Sequence, residues 1–338
     1  MSRRPTIHAV AARAGVSTAT VSKVVNGITA GVAEGTRARV EAAVRELGYR
    51  PNRLGRSLRT ARNFTIGLAI LDPSPRFLAD PFTANLVAGL ANYLNSRGFG
   101  LLLHGIRPGA LDASFLIQHS EVDGLCLDLS GTRRQRLAAM RRVAELGKPF
   151  VVFQERPAAL LEDACFIRQD DRGGAAALAT GLLRRRPKRV WVIVSDVPWP
   201  AVEERVAGFR QVLEPEGVVL ELVPCDETSG EAIAGAISAQ LDGRPPPDLL
   251  LGQNDQIAAI ALQVLRRYRL RVPEDVGVAG FNAFPFTGWG DLPLCSVRSR
   301  AYELGEAGAA SLLERLEQGS FARREQVLPL ELVPGSSA

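Results

Sequence analysis

The chain has 338 residues, of which 46% are hydrophobic and 23% are charged, an ordinary composition for a globular protein. This length predicts two or three domains, and no apolar run approaches the roughly 20 residues that span a bilayer. Four widely separated cysteines and three histidines argue against a disulfide framework or a structural zinc site. An amphipathic segment, rather than an apolar one, follows the basic N-terminus, so we expect a cytoplasmic protein.

Positive charge is concentrated in the N-terminal part of the chain. Residues 1–62 contain twelve Arg or Lys and three Glu, a net charge of +9, whereas the other 276 residues carry a net charge of −4. No acidic residue occurs between Met1 and Ala33. This asymmetry predicts a polyanionic partner for the N-terminal segment alone.

Three short helices are predicted in this basic segment. The first begins at Ile7, because apolar residues recur there on one helix face, with Thr6 as its N-cap and Gly15 at its C-terminal end. A second helix follows Ser17, and a third spans about residues 34–47. Two short helices joined by a glycine-containing turn form a helix-turn-helix, whose second helix enters the major groove of DNA.

The exposed face of the second helix carries short hydroxyl groups and a lysine. Such side chains reach phosphate oxygens and base edges, whereas a solvated face more often carries Glu and Lys pairs. The pattern therefore favours DNA binding. The DNA-contacting residues predicted here are Thr6, Ser17, Thr18, Ala19, Thr20, Ser22, Lys23 and Asn26.

A second basic stretch runs from Tyr49 to Asn63. Pro51 suits the first position of a helix, and Leu54 and Leu58 share one face of it. A helix of about two turns is marginal in water, so this segment either orders on DNA or is a simple linker.

Two motifs over residues 6–59 carry a specific resemblance. A-x-x-A-G-V-S-x-x-T-V-S-K-V-x-N-G lies at residues 11–27, and L-G-Y-x-P-N-R lies at residues 47–53. With them, the chain resembles the lactose repressor (LacI/GalR) family of transcription factors. The resemblance implies a hinge helix that inserts a leucine, here Leu58, into the minor groove. It also implies that Asn52 and Arg53 contact DNA.

From residue 65 onward, short apolar runs alternate with helical patterns, which predicts parallel sheets covered on both faces. The strands are predicted at residues 65–71, 100–105, 124–129, 149–153, 189–194, 218–223, 248–252 and 276–280. Helices are predicted at residues 85–96, 133–146, 174–184, 203–213 and 256–267. Some 270 residues are too many for one such sheet, so we expect two lobes with a cleft at the carboxyl ends of the strands.

The motifs of the common nucleotide-binding and hydrolytic enzymes are absent from the sequence. There is no G-x-x-x-x-G-K-[ST], no G-x-G-x-x-G after a strand and no G-x-S-x-G. The pairs Asp170-Asp171 and Glu203-Glu204 are adjacent, so their carboxylates point in different directions, whereas acid–base catalysis needs convergent ones. We expect no enzymatic activity and no cofactor.

Segments of this larger region resemble the periplasmic-binding-protein-like effector domain of the same family. They include D-P-F (80–82), D-D-x-x-G-A (170–175), R-x-x-G-F (205–209), N-D-x-x-A (254–258) and V-P-E-D-V-x-V-x-G-F-N (272–282). The effector-binding residues that follow from the resemblance and from the chemistry of the cleft are Phe82, Asp170, Trp199, Arg205, Asn254, Asp255 and Asn282.

These residue types suit a carbohydrate. Arginine and asparagine offer directional hydrogen bonds to hydroxyl groups, and an aromatic ring covers a sugar face. The sequence leaves alternatives open for two of them. Arg205 binds the effector or merely pairs with Glu203 or Glu204, and Asn254 binds it or merely caps the following helix.

The sequence thus predicts a small all-α helix-turn-helix domain (residues 1–49), a hinge (50–62) and a two-lobed α/β effector-binding and dimerisation domain with two doubly wound parallel sheets (63–338). We expect a homodimeric, nucleoid-associated regulator, most simply a repressor, that binds a pseudo-palindromic operator in double-stranded DNA under control of a small-molecule effector. By resemblance, this effector is a carbohydrate or a derivative of one. A dimer is favoured because no apolar heptad helix follows the strand predicted at residues 327–333.

Two alternatives remain. One is an architectural DNA-binding protein that responds to no effector, and the other is a cytosolic sugar-processing enzyme with a DNA-binding head. Neither requires a membrane.

Overall fold

The computed structural model describes residues 5–25, 27, 30–49, 62–119, 121–159, 161–285 and 292–338. The chain divides into two compact units, residues 1–63 and residues 64–338. The predicted DNA contacts Asn26, Asn52, Arg53 and Leu58 lie outside the described residues, as do residues 50–61 of the hinge predicted at residues 50–62.

The first unit contains the three predicted helices. They are α1 (Ile7–Ala14), α2 (Thr18–Val25) and α3 (Glu34–Leu47). The Thr6 hydroxyl accepts a hydrogen bond from the Ala9 amide at the start of α1, and Gly15 ends this helix with a φ of 66°, in the left-handed region that favours glycine. A small core joins the helices, consisting of Val10, Ala11, Ala14, Val21, Val40 and Ala43. The helix-turn-helix prediction is confirmed.

The first lobe of the second unit is built on a six-stranded parallel sheet. Its strands are β1 (Thr65–Leu71), β2 (Gly100–Ile106), β3 (Gly124–Leu129), β4 (Phe150–Phe153), β5 (Ala164–Gln169) and β11 (Glu325–Leu328), in the order β11-β5-β4-β3-β1-β2. Its helices are α4 (Pro81–Ser96), α5 (Phe115–Gln118), α6 (Arg133–Ala144) and α11 (Ala301–Gln318).

The second lobe is built on a four-stranded parallel sheet. Its strands are β6 (Arg189–Ser195), β7 (Val219–Cys225), β8 (Leu249–Gly252) and β9 (Gly277–Ala279), in the order β7-β6-β8-β9. Its helices are α7 (Asp171–Leu182), α8 (Pro200–Leu213), α9 (Gly230–Gly243) and α10 (Asp255–Arg267). Two short strands, β10 (Ser296–Arg298) and β12 (Glu331–Val333), form an antiparallel pair.

Each sheet has an apolar core on both faces, which explains why its strands read as continuous apolar runs. In β1, Ile66 and Leu68 pack with α4 and α11, whereas Ala69 and Leu71 pack on the opposite face with α6. Strands of alternating polarity would leave one face of such a sheet without a core.

The chain passes between the two lobes three times, at residues 169–171, 298–301 and 328–331. The third passage explains why the structure has two strands where the sequence predicted one. The single strand predicted at residues 327–333 is two strands, because β11 belongs to the first lobe and β12 pairs with β10. The predicted two-lobed α/β fold is confirmed.

Strands β5 and β10 and helices α5, α9 and α11 were not predicted from the sequence, and helices α4, α7 and α8 begin earlier than predicted. Helix α4 begins at Pro81 because the Asp80 carboxylate caps it, accepting hydrogen bonds from the amides of Phe82 and Thr83. Within the part of the chain that the structure describes, no helix combines the length and apolarity that a membrane span needs.

Candidate functional site

A cleft of about 460 Å³ lies between the two lobes of the second unit, a volume in the range of small-molecule sites. The first lobe contributes ten residues of the segment 72–83 together with Asp128 and Gln154, and the second contributes several loops that follow its strands. Asp72 comes directly after β1, and Gln253 comes directly after β8. The cleft therefore occupies the predicted position at the carboxyl ends of the parallel strands.

Arg205, on α8, is buried and held in place on several sides. Its Nε donates to Asp171 Oδ1 at 2.7 Å, one terminal nitrogen donates to the Gln253 carbonyl at 2.6 Å, and the other donates to Asn282 Oδ1 at 3.2 Å. The guanidinium also lies over the Phe281 ring, 3.9 Å from its centre. Arg205 thus lines the cleft in a fixed orientation, and it pairs with Asp171 rather than with Glu203 or Glu204.

Asp171 connects the two lobes beneath the cleft. Its carboxylate accepts hydrogen bonds from the side-chain amides of Gln154 and Gln169, both at 3.1 Å. Burial raises the pKa of this carboxyl, and the neighbouring Arg205 lowers it in part. Neither Asp171 nor Gln154 was predicted from the sequence as an effector-binding residue, although Asp171 is part of the D-D-x-x-G-A motif.

Asn254 both caps a helix and lines the cleft, so its two predicted roles are compatible. Its side-chain oxygen Oδ1 accepts a hydrogen bond from the Ile257 amide at the start of α10, and its side-chain nitrogen Nδ2 donates one to Glu227 at 3.3 Å. Glu227 also accepts from Gln253 at 2.6 Å and from the Trp199 indole nitrogen at 3.1 Å. Burial raises the pKa of Glu227. Glu227 is a cleft residue that the sequence analysis missed.

Two of the predicted effector-binding residues do not line the cleft. Asp170 caps α7 by accepting a hydrogen bond from the Gly173 amide. Asp255 is fully buried and accepts from the Ser296 hydroxyl at 2.6 Å and from the Phe284 amide. Burial raises the pKa of Asp255 to about 6. The structure therefore places Asp170 and Asp255 in supporting positions, because backbone and hydroxyl donors of the protein already occupy their carboxylates.

The remaining predicted residues, Phe82, Trp199 and Asn282, do line the cleft. The structure adds Phe77, from the turn between β1 and α4, as a further aromatic residue of the lining. Asp128, near the end of β3, is another addition. Burial and the carboxylates of Asp80 and Asp72 together raise its pKa to about 7.

Ion pairs connect the two lobes beside the cleft. Arg136, on α6, contacts Glu155 in its own lobe and Glu203 of the second lobe, the latter at 2.9 Å. Arg156 of the first lobe forms two hydrogen bonds with Glu204, at 2.9 Å and 2.7 Å. Each of these adjacent glutamates thus has its own arginine.

In the first unit, α2 presents a polar surface. The Ser17 hydroxyl accepts from the Thr20 amide at 3.2 Å and hydrogen-bonds to the Thr20 hydroxyl at 3.0 Å. Ala19 and Lys23 are exposed, and Thr18 is half-buried. The hydroxyls of Ser17 and Thr20 therefore help to form the start of the helix, in addition to lying on the predicted DNA-binding face.

Two family models match the chain: "Bacterial regulatory proteins, lacI family" over residues 6–52 and "Periplasmic binding protein-like domain" over residues 179–338. The transcriptional regulator CelR of Thermobifida fusca is 33% identical over 321 residues, which cover 93% of this chain and 92% of the relative. This chain belongs to the LacI family. As a member of this family, it is a DNA-binding transcriptional regulator.

Solved structures agree with the LacI-family assignment. A CelR–cellobiose complex has a TM-score of 0.71 and 30% identity, covering 99% of this chain and 100% of that one. The Lac repressor dimer bound to operator and the anti-inducer ONPF has a TM-score of 0.83 and 24% identity, covering 99% of both chains. At this identity the second match shows the fold alone.

Proposed function

We propose that this LacI-family regulator is a homodimeric repressor that binds a pseudo-palindromic operator, and that a carbohydrate in the cleft of the second unit controls this binding. A homodimer has two helix-turn-helix domains related by two-fold symmetry, which suits a symmetric DNA site. Linking two weakly binding domains raises their combined affinity by increasing the effective concentration of the second.

The observation that carries the proposal is the fixed guanidinium of Arg205 in a cleft shared by two lobes. Asp171, Gln253 and Asn282 hold it in place, and three hydrogen bonds leave two of its five N–H donors for a ligand. Because both lobes contribute to the cleft, a ligand that contacts both has a different affinity for open and closed arrangements. Such a difference is what effector control requires.

A carbohydrate is supported by the chemistry of the lining and by the CelR–cellobiose complex. Polar groups that accept and donate hydrogen bonds lie next to the aromatic residues Phe77, Phe82 and Trp199, as the recognition of a sugar ring requires. The effector-binding residues that we propose are Phe82, Trp199, Arg205, Asn254 and Asn282, together with Asp128, Gln154 and Glu227.

For the first unit, we propose that α2 contacts base edges through Thr18, Ala19 and Lys23, and phosphates through its hydroxyl groups. Thr18 and Ala19 are too short for bidentate pairing with a base, whereas Lys23 reaches a guanine edge. Selection of binding sites from a random duplex library should yield a symmetric site, and Lys23→Ala should shift the base preference more than Ala19→Gly. Equal shifts for the two variants would contradict this ranking.

We also propose that the protein does not turn over its ligand, in keeping with relatives that are regulators. Incubation of the full chain with cellobiose, followed by chromatography of the sugar, should return the sugar unchanged. Appearance of glucose would instead favour a sugar-processing enzyme with a DNA-binding head. A carbohydrate that raises the thermal stability of the chain but leaves operator affinity unchanged would favour the effector-independent alternative.

A further inference from the structure

The charges that line the cleft are strongly unbalanced. Of the described residues in the lining, six are acidic and two are arginines. The acidic residues are Asp72, Asp80, Asp128, Asp196, Asp226 and Glu227. Of the arginines, Arg205 is already paired with the buried Asp171 at 2.7 Å, and the Arg76 side chain is exposed to solvent. A ligand in the cleft therefore meets a predominantly negative surface.

Three of these carboxylates belong to the first lobe and act on one another. Asp128 lies in β3, where it is the register partner of Ile70 in β1, and Asp72 follows the end of β1. Asp80 stands at the start of α4. Burial raises the pKa of Asp128, and repulsion from Asp80 and Asp72 raises it further, as expected for like charges in a poorly solvated place.

Asp128 differs from its two neighbours in its hydrogen-bond partners. The Asp80 carboxylate accepts hydrogen bonds from the amides of Phe82 and Thr83 and from the Thr83 hydroxyl. The Asp72 carboxylate accepts one from the Ser74 amide. Asp128 is 4% exposed and lines the cleft. It accepts a hydrogen bond from the backbone amide of Leu129, and in the described part of the chain no side chain donates a hydrogen bond to it. A carboxylate has two oxygens that together accept about four hydrogen bonds, so the Leu129 amide leaves acceptor positions of Asp128 open to a ligand.

We propose that the effector carries a cationic amine, as an amino sugar does, and that Asp128 binds this amine next to Asp80 and Asp72. The inference rests on the proposed function, since it concerns the same cleft. An ammonium group supplies three N–H donors and a positive charge, so it satisfies the buried carboxylate and also offsets the repulsion among the three. A hydroxyl group supplies one donor and no charge, and a phosphorylated or carboxylated sugar adds a further negative charge.

The aromatic residues of the cleft are compatible with the same ligand. Phe77 and Phe82 belong to the segment that includes Asp80. An aromatic ring attracts a cation at its face and also packs against the apolar face of a sugar. An amino sugar combines both features in one small molecule.

The test compares three β-1,4-linked disaccharides on the full chain by isothermal titration calorimetry. They are the disaccharide of glucosamine, its N,N′-diacetyl form and cellobiose, which differ in the substituent at C2 and share one frame. The glucosamine disaccharide should bind at least ten-fold more tightly than either uncharged counterpart. Equal or tighter binding of cellobiose or of the diacetyl form would overturn the inference and leave the proposed carbohydrate effector standing.

Two matched variants locate the amine. Asp128→Asn should abolish the ten-fold preference, because it removes the buried charge with little change in shape. Asp226→Asn is the control, since Asp226 lines the cleft but is exposed and accepts its hydrogen bonds from Thr228. It should leave the preference intact. A preference that survives Asp128→Asn would overturn the assignment to Asp128. Absence of heat with all three sugars and an unchanged operator affinity would overturn the inference together with the proposed carbohydrate effector.

Discussion

Replacing Arg205 by alanine should destabilise the second unit by far more than a surface substitution does. The variant loses the hydrogen bonds to Asp171, Gln253 and Asn282. It also leaves the Asp171 carboxylate, which is 3% exposed, buried without its counter-charge. Breaking a buried ion pair from one side costs about 3–5 kcal/mol, which lowers the melting temperature of a domain of this size by roughly 6–15 °C.

The assay is thermal and urea denaturation of the full chain, followed by circular dichroism. Arg205→Ala combined with Asp171→Asn provides the control, because the double variant removes both charges of this pair and should recover part of the lost stability. A cost below about 1 kcal/mol for Arg205→Ala would refute the reasoning, as would a double variant no more stable than the single one. Because of this coupling, Arg205→Lys is the better variant for testing effector binding, since it keeps the charge and changes the hydrogen-bond geometry.

Three further predictions concern other parts of the chain. The pKa of Asp128 is about 7 in the folded protein against the usual 3.8, so its stabilising protonated form is lost as pH rises through 7. Asp128→Asn should therefore be more stable than the parent at pH 8, by at most about 4 kcal/mol. This gain in stability should shrink at pH 5. A difference in denaturation midpoints that does not depend on pH would contradict the prediction. Gly89→Ala should destabilise the protein by about 1–3 kcal/mol, because the new Cβ would lie 2.0 Å from the Tyr302 carbonyl oxygen. In Gly181→Ala, by contrast, the new Cβ meets no neighbouring atom, so this variant should raise the unfolding midpoint slightly. Leu58→Ala should lower the ratio of operator to scrambled-duplex affinity at a fixed salt concentration, if the leucine enters the minor groove as the family resemblance implies; an unchanged ratio would indicate a simple linker.

The sequence predicted most of the fold because its strands are apolar on both sides. A short, mostly apolar run such as residues 124–129 is typical of a strand in a sheet covered on both faces, and β3 occupies these residues. The prediction was weaker where the chain changes lobes. No feature of the local sequence marks a break within residues 327–333. The break between β11 and β12 follows only from the pairing of β12 with β10.

The site was less predictable than the fold, since its geometry depends on contacts between residues that are distant in sequence. The family motifs identified Arg205 and Asn254 as cleft residues, but the D-D-x-x-G-A motif did not distinguish Asp170 from Asp171. Asp170 is the N-cap of α7, whereas Asp171 is the first residue inside the helix and faces Arg205. Glu227 belongs to no motif that we recognised, and its place in the cleft follows from the end of β7 meeting the loop that contains Trp199.

Above all, we propose that a ligand in the cleft controls operator binding. The most direct measurement is a fluorescence-anisotropy titration of the full chain on a selected operator duplex, with and without saturating glucosamine disaccharide or cellobiose, at one salt concentration. A scrambled duplex of equal length serves as the reference for non-specific binding. At least one of the two sugars should change the operator affinity by about 5–150-fold, the usual range of allosteric coupling, and leave the affinity for the scrambled duplex unchanged. An operator affinity that stays constant while calorimetry shows the cleft to be occupied would contradict the account.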